Sequence, residues 1–154
     1  MRTLLQRVES AAVRVEGIER GRIGRGAVLL VGVLRGDTEA DADATIRKIA
    51  ALRFFPGRTP MDKTLAEVGG GCLVISQFTL GGRVDKGNRP GFDRAEAPAE
   101  AELLYTRVAD GLAATGLTVA RGVFGAHMQI DFVADGPVSL LIEARDGRIR
   151  GPGA

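Results

Sequence analysis

The chain predicts an α+β fold: a single domain with a mixed or antiparallel β-sheet, or a barrel-like sheet, and two main helices. Three observations predict it. The strand-like segments come in consecutive runs, in the order βββ-α-β-α-βββ, where a doubly wound parallel sheet would alternate strands with helices. The chain has 154 residues, of which 45% are hydrophobic and 26% charged, which suits one domain with a real core. Its 22 glycines suggest many turns and tight backbone approaches.

Residues 2–9 and 11–16 read as two strands, since Val13 and Val15 alternate with Arg14 and Glu16. Residues 17–24 form a charged, glycine-punctuated turn region. Residues 27–34 are a third strand, apolar on both faces, stopped by Gly36-Asp37. Thr38 caps a helix with Asp41 three residues on. Ile46, Ile49, Ala50 and Arg53 follow at helical spacing, so the helix runs to about Leu52, before Phe54-Phe55-Pro56-Gly57. Residues 57–71 are loop-like. Cys72, Leu73, Val74 and Ile75 form a strand buried on both faces and flanked by glycines. Residues 81–94 make a long polar loop. Pro98 opens a second helix with the stripe Leu103, Leu104, Val108 and Leu112, and Gly116 ends it. Strands at about 117–123, 127–133 and 138–144 close the domain. Residues 1–144 are thus the domain, and residues 145–154 a polar, flexible tail.

The central strand turns polar only where it leaves the core, at Ser76, Gln77 and Thr79. Strand alternation puts Gln77 and Thr79 on one face and Ser76 and Phe78 on the other. A rigid strand that ends in polar groups is a good carrier for a site, although satisfied hydroxyls on a core strand look the same. The single cysteine, Cys72, has no internal partner, reads as an inert buried thiol and fits a reducing compartment. Among charged groups, the loop cations Arg83, Lys86, Arg89 and Arg94 suit phosphates or plain solvent. A net charge of +2 is compatible with an RNA partner without requiring one. No apolar run is long enough for a membrane span and the first residues lack a signal-peptide layout, so the expected location is cytoplasmic.

The chemistry is narrowed by what is scarce. His127 is the only histidine, which excludes a multi-histidine zinc site and leaves a metal site of any kind poorly supported. A Ser-His-Asp triad would have to use His127, which instead reads as the start of a strand. The pattern Gly21-Arg22-Ile23-Gly24-Arg25-Gly26 is followed by a strand, not the helix a nucleotide fingerprint needs. Hydroxyls, an amide and backbone N–H groups remain. Such a set suits an already activated ester, where an oxyanion hole supplies roughly 3–4 kcal/mol per donor.

Two stretches carry a resemblance to a known family. Ser76-Gln77-Phe78-Thr79 and Gly136-Pro137-Val138-Ser139 are similar to the Ser-Gln-Phe-Thr and Gly-Pro-Val-Thr signatures of the D-aminoacyl-tRNA (D-tyrosyl-tRNA) deacylases. Gln6-Arg7-Val8, Gly70-Gly71, Arg89-Pro90 with Phe92, and Phe124-Gly125-Ala126 with Met128 fall in the family's order, so the resemblance covers roughly residues 1–144. It implies a homodimeric esterase that releases D-amino acids, and glycine from mischarged tRNA, without a cofactor or metal. It implies that Gly136 and Pro137, joined by a cis peptide bond, enter the partner's pocket and reject L-aminoacyl esters by their backbone. Ser76, Gln77, Phe78 and Thr79 would be catalytic; Gly136, Pro137, Met128, Phe124 and Arg89 would bind substrate. Ser139 replaces a threonine, Ala134 a commonly polar residue and Gly91 a frequent serine. The competing readings are a non-enzymatic RNA-binding module, a metal-dependent hydrolase and an L-specific editing enzyme.

Overall fold

In the computed structural model, which describes residues 1–151, seven strands and two α-helices form one curled, mixed sheet with helices on one side. The elements are β1 (Arg2–Val15), β2 (Ile18–Ile23), β3 (Gly26–Gly32), α1 (Glu39–Ala51), β4 (Gly71–Ser76), α2 (Pro98–Ala114), β5 (Thr118–Arg121), β6 (Gln129–Arg145) and β7 (Arg148–Arg150). The order across the sheet is β5-β4-β3-β1-β6-β7, with β2 paired to the far half of β1. Strands β3, β4 and β5 run parallel; every other pairing is antiparallel. The predicted α+β class, with its mixed, partly barrel-like sheet and two helices, is what the chain adopts.

Period-two alternation explains why the central strands are apolar throughout. Cys72 and Val74 of β4 point to the helices, joining Leu29 and Val31 of β3. Leu73 and Ile75 point the other way, into a second cluster with Val8, Val13 and Val28 inside the curl of the sheet. The start of β3 packs unusually close to β4. Gly26 pairs with Gly71, and a Cβ on Gly26 would lie 1.9 Å from the Gly71 carbonyl oxygen.

The helix starts follow the sequence. The Thr38 N–H donates to the Asp41 carboxylate over 2.8 Å, at the head of α1. Pro98 occupies the first turn of α2. Asp41 is buried, and burial alone would raise its pKa. Hydrogen bonds from the Gly147 and Thr38 N–H groups outweigh this and hold it below the usual carboxylate range.

Several boundaries differ from the sequence expectation. Residues 2–16 hold one long strand, not two, because β1 pairs with β3 over its first half and with β2 over its second. Residues 17–24 are largely strand: β2 is an exposed edge, so its charge and glycine content reflect solvent and not a turn. Strand β4 ends at Ser76, and Phe78–Gly81 forms a 3₁₀ turn, so strand alternation does not extend to Phe78 and Thr79. The expected strands 127–133 and 138–144 are one strand, β6. The tail is ordered beyond 145, since β7 pairs with Glu143–Arg145 and Gly147 is tied to Asp41. Its last residues, 152–154, lie outside the described residues.

Candidate active site

Strand β4 delivers its last residues to a cleft of about 500 Å³ at the edge of the sheet. Ser76, Gln77 and Phe78 form one wall; Phe124 and Met128, from the segment between β5 and β6, form another. Beneath them Phe124 stacks on Tyr105 of α2 with ring centroids 6.0 Å apart. The buried Tyr105 hydroxyl donates to the Val74 carbonyl over 2.9 Å, which fixes the end of β4 against the helix. Met128 seats over Gly122, where a Cβ would meet its sulfur at 2.7 Å.

The 3₁₀ turn after β4 sets out backbone donors. The Gln77 N–H is used by the Val31 carbonyl at 2.8 Å. The first bond of the turn runs from the Leu80 N–H to the Gln77 carbonyl, so the Phe78 and Thr79 N–H groups stand at its open end. Phe78 is 56% exposed and makes an edge contact with Phe92 of the polar loop, centroids 5.1 Å apart. Thr79 is exposed and accepts a hydrogen bond from the Gln77 side-chain amide; it does not line the cleft.

Two titratable groups also line the cleft: Glu96, which the sequence reading misses, and His127, which it considers as a triad base and sets aside. Glu96 is spent on structure: its carboxylate accepts the Ala97 N–H at 2.7 Å and the Gly36 N–H at 3.3 Å. His127 is exposed, and among the described residues it makes no hydrogen bond to Ser76 or Thr79, the contact a histidine-activated nucleophile needs. Burial pushes the Cys72 thiol up to about 12, in keeping with an inert core side chain. Among the described residues no three His, Cys, Asp or Glu side chains gather to hold a metal ion.

Gly136 and Pro137 do not line this cleft. They lie on β6, where Val8 pairs with Ala134 and Gln6 with Ser139, so Asp135, Gly136, Pro137 and Val138 all sit opposite the single residue Arg7. The surplus is extruded as an exposed bulge. The Gly136–Pro137 peptide is cis, and Gly136 has φ +119°, a conformation that glycine alone takes without strain. Arg7 braces the bulge from behind. Its guanidinium is 2.9 Å from the Asp135 carboxylate and donates to the Asp135 carbonyl at 3.2 Å and the buried Phe54 carbonyl at 2.7 Å. Sheet order places β3 and β1 between β4 and β6, about three strand spacings or roughly 14 Å. Arg89 is exposed on the polar loop and also lies off the cleft. The structure thus brings together Ser76, Gln77, Phe78, Phe124 and Met128, and leaves Thr79, Arg89, Gly136 and Pro137 outside.

Comparison with known proteins finds relatives over nearly the whole chain. The chain is 46% identical over 147 residues to the D-aminoacyl-tRNA deacylase of Paracoccus denitrificans, covering 95% of this chain and 99% of that one. It is 49% identical over 146 residues to the D-aminoacyl-tRNA deacylase of Anaeromyxobacter dehalogenans, covering 94% and 98%. A solved structure titled c-Myc DNA Unwinding Element Binding Protein superposes with a TM-score of 0.88 at 35% identity, covering 94% of this chain and 99% of that one. A probable eukaryotic D-amino acid tRNA deacylase, only 20% identical, shares the fold with a TM-score of 0.79 over 91% of this chain and 97% of its own. With the model of the family described as D-Tyr-tRNA(Tyr) deacylase matching residues 4–143, this chain belongs to that family.

Proposed function

We propose that the protein is a hydrolase of the ester bond in D-aminoacyl-tRNA, releasing the free D-amino acid, and that it accepts glycyl-tRNA as well. The observation that carries this reading is an apolar cleft ending in Ser76, Gln77 and Phe78, in a chain nearly half identical to D-aminoacyl-tRNA deacylases along its length. The N–H groups of Phe78 and Thr79 hold the ester carbonyl and stabilise the oxyanion. The neighbouring 2′-hydroxyl of the ribose activates water, and Phe124 and Met128 bound the pocket. Thr79 is not a covalent nucleophile in this scheme, because among the described residues no basic side chain hydrogen-bonds to it; its partner is the Gln77 amide. Thr79→Ala is then expected to keep kcat within about a decade; a fall of roughly 10⁴-fold, as for a lost covalent nucleophile, would refute the scheme.

Chirality is read by a second copy of the chain. The Gly136-Pro137 bulge is exposed and lies off its own cleft, so it acts in the partner's cleft of a homodimer. With no Cβ on Gly136, main chain approaches the substrate Cα. An L side chain runs into that wall, while a D side chain points away and glycine passes. Exposed Phe132, Val133, Leu140 and Leu141, on both flanks of the bulge, supply apolar surface for the second copy. Arg89 and its loop contact tRNA phosphates at the rim.

The test is release of tyrosine from matched D-Tyr-tRNA and L-Tyr-tRNA in the presence of a chelator, with sedimentation of the same sample. Rapid loss of the D-ester alone, from a particle of twice 16.2 kDa, is the expected result. Loss of both esters would remove the chiral wall. Loss of neither, with tRNA bound, would favour a binding module, and chelator sensitivity a metal hydrolase.

A further inference from the structure

A second basic surface lies well away from the cleft. Two adjoining depressions share Arg53: one carries Arg47 and Lys48 at the end of α1, the other Arg58 and Lys63 on the following loop. All five cations are exposed, and among the described residues none has a carboxylate within ion-pair distance. The acids in and beside these depressions hold other partners and form no ion pair with the five cations. Asp43 is clamped by Arg107 at 2.8 and 3.0 Å. Asp62 accepts the Arg58 backbone N–H at 2.9 Å, and Glu67 accepts that of Thr64 at 2.7 Å. Asp62 and Glu67 line the second depression and keep their charge; the hydrogen bonds from Thr64, helped by Arg53 and Lys63, hold the Glu67 carboxyl below its usual range. Five cations thus face two carboxylates, and the surface stays net positive toward an outside anion.

The place of this groove suggests which anion. The C-terminal end of β3 packs on the turn that follows Ser76, where a Cβ on Gly32 would meet the Leu80 Cβ at 2.8 Å. Helix α1 leaves from that end; its 13 residues, roughly 20 Å at 1.5 Å per residue, carry Arg47 and Lys48 toward their far end and lead on to Arg53. Resting on the ester-hydrolase reading above, we infer that this groove holds phosphates of the acceptor-stem duplex of the same tRNA whose 3′ terminus enters the cleft. Contacts of this kind carry no sequence information and suit an enzyme that must accept many tRNAs. A row of flexible Lys and Arg side chains in a shallow groove matches a regular phosphate backbone better than a single small anion.

The test compares the parent dimer with a variant carrying Arg47→Gln, Arg53→Gln, Arg58→Gln and Lys63→Gln, after a thermal melt has shown that the variant is folded. With D-Tyr-tRNA, KM is expected to rise about tenfold or more while kcat stays within about twofold. The slope of log binding constant against log salt is expected to become shallower by about 2–3. With the D-tyrosyl ester of adenosine alone, kcat/KM is expected to be unchanged. An unchanged KM and salt slope for the full tRNA would overturn the inference, as would an equal loss on the adenosine ester. Binding of uncharged tRNA, read by fluorescence anisotropy, keeps the groove testable if the parent hydrolyses neither ester: about tenfold weaker binding by the variant supports the groove, and equal binding refutes it. Unchanged tRNA binding with lost binding to phosphatidylserine vesicles would assign the surface to a membrane instead.

Discussion

Gly26→Ala is expected to abolish folding or, where folded protein is recovered, to cost more than about 3 kcal/mol and over 100-fold in kcat/KM. The added methyl would lie 1.9 Å from the Gly71 carbonyl oxygen and 2.8 Å from its carbon and nitrogen. Those atoms are backbone in the middle of a sheet, so no rotamer change relieves the clash. Ordinary overpacking costs about 1–3 kcal/mol because side chains can give way; here β3 and β4 must part. Strand β4 carries Ser76 to the cleft of the proposed reaction, and a displacement of about 1 Å in the wall of such a site is enough for a loss of two decades. The matched control is Gly24→Ala, two residues upstream, where a Cβ meets nothing within 4 Å and stability should stay within about 0.5 kcal/mol. Urea denaturation of the pair, with activity on D-Tyr-tRNA, measures both effects. A soluble Gly26→Ala protein as stable as Gly24→Ala would show that the two strands do not meet as described.

Arg7→Met is expected to lower stability by about 3 kcal/mol and to erase most of the D-over-L discrimination. The substitution keeps a long apolar stem but strands a carboxylate and two carbonyls, one of them the buried Phe54 oxygen. The figure is taken at the low end for a broken buried pair, because the Asp135 side chain is 28% exposed and water can partly replace the arginine. For a chain of this size that is a fall of roughly 6–12 °C in Tm. Arg7→Lys should not restore discrimination, since one ammonium cannot reach across Phe54 and both Asp135 oxygens as a planar fork does. Thermal melts and the ratio of kcat/KM on D- and L-Tyr-tRNA check this. A Tm drop with intact discrimination would leave Arg7 a stability residue without a part in chirality.

The sequence was most legible where one force dominated. The uninterrupted apolar runs of β3 and β4 marked strands between two dry layers, and Thr38-Asp41 and Pro98 marked both helix starts. It was least legible where pairing overrode pattern. Residues 135–138 looked like a gap between two strands, because extrusion opposite Arg7 needs a partner strand that lies 130 residues away. Charge in β2 mimicked a turn, since an exposed edge strand and a loop obey the same solvent. Phe78 and Thr79 continued a β-like alternation, yet the Leu80 and Gly82 N–H groups fold back on Gln77 and Thr79 into a 3₁₀ turn. The cleft was half visible: Ser76 to Phe78, Phe124 and Met128 line it, while Thr79, Arg89, Gly136 and Pro137 do not. Glu96 carried no signal, and His127, though conspicuous as the only histidine, gave no hint that the fold would bring it to the cleft.

The pairing of β1 with β6 also bears on how the protein is made. Strand β1 sits in the middle of the sheet, yet one of its edges stays open until β6, ending at Arg145, has been synthesised. At about 5–20 residues per second, the ribosome leaves that edge bare for roughly 6–26 s after Val15. During this time an apolar strand carrying Leu5, Val8 and Val13 offers unpaired N–H and C=O groups to any neighbouring nascent chain. Yield in a cell should therefore depend on translation speed and chaperone supply more than the stability of the finished fold suggests.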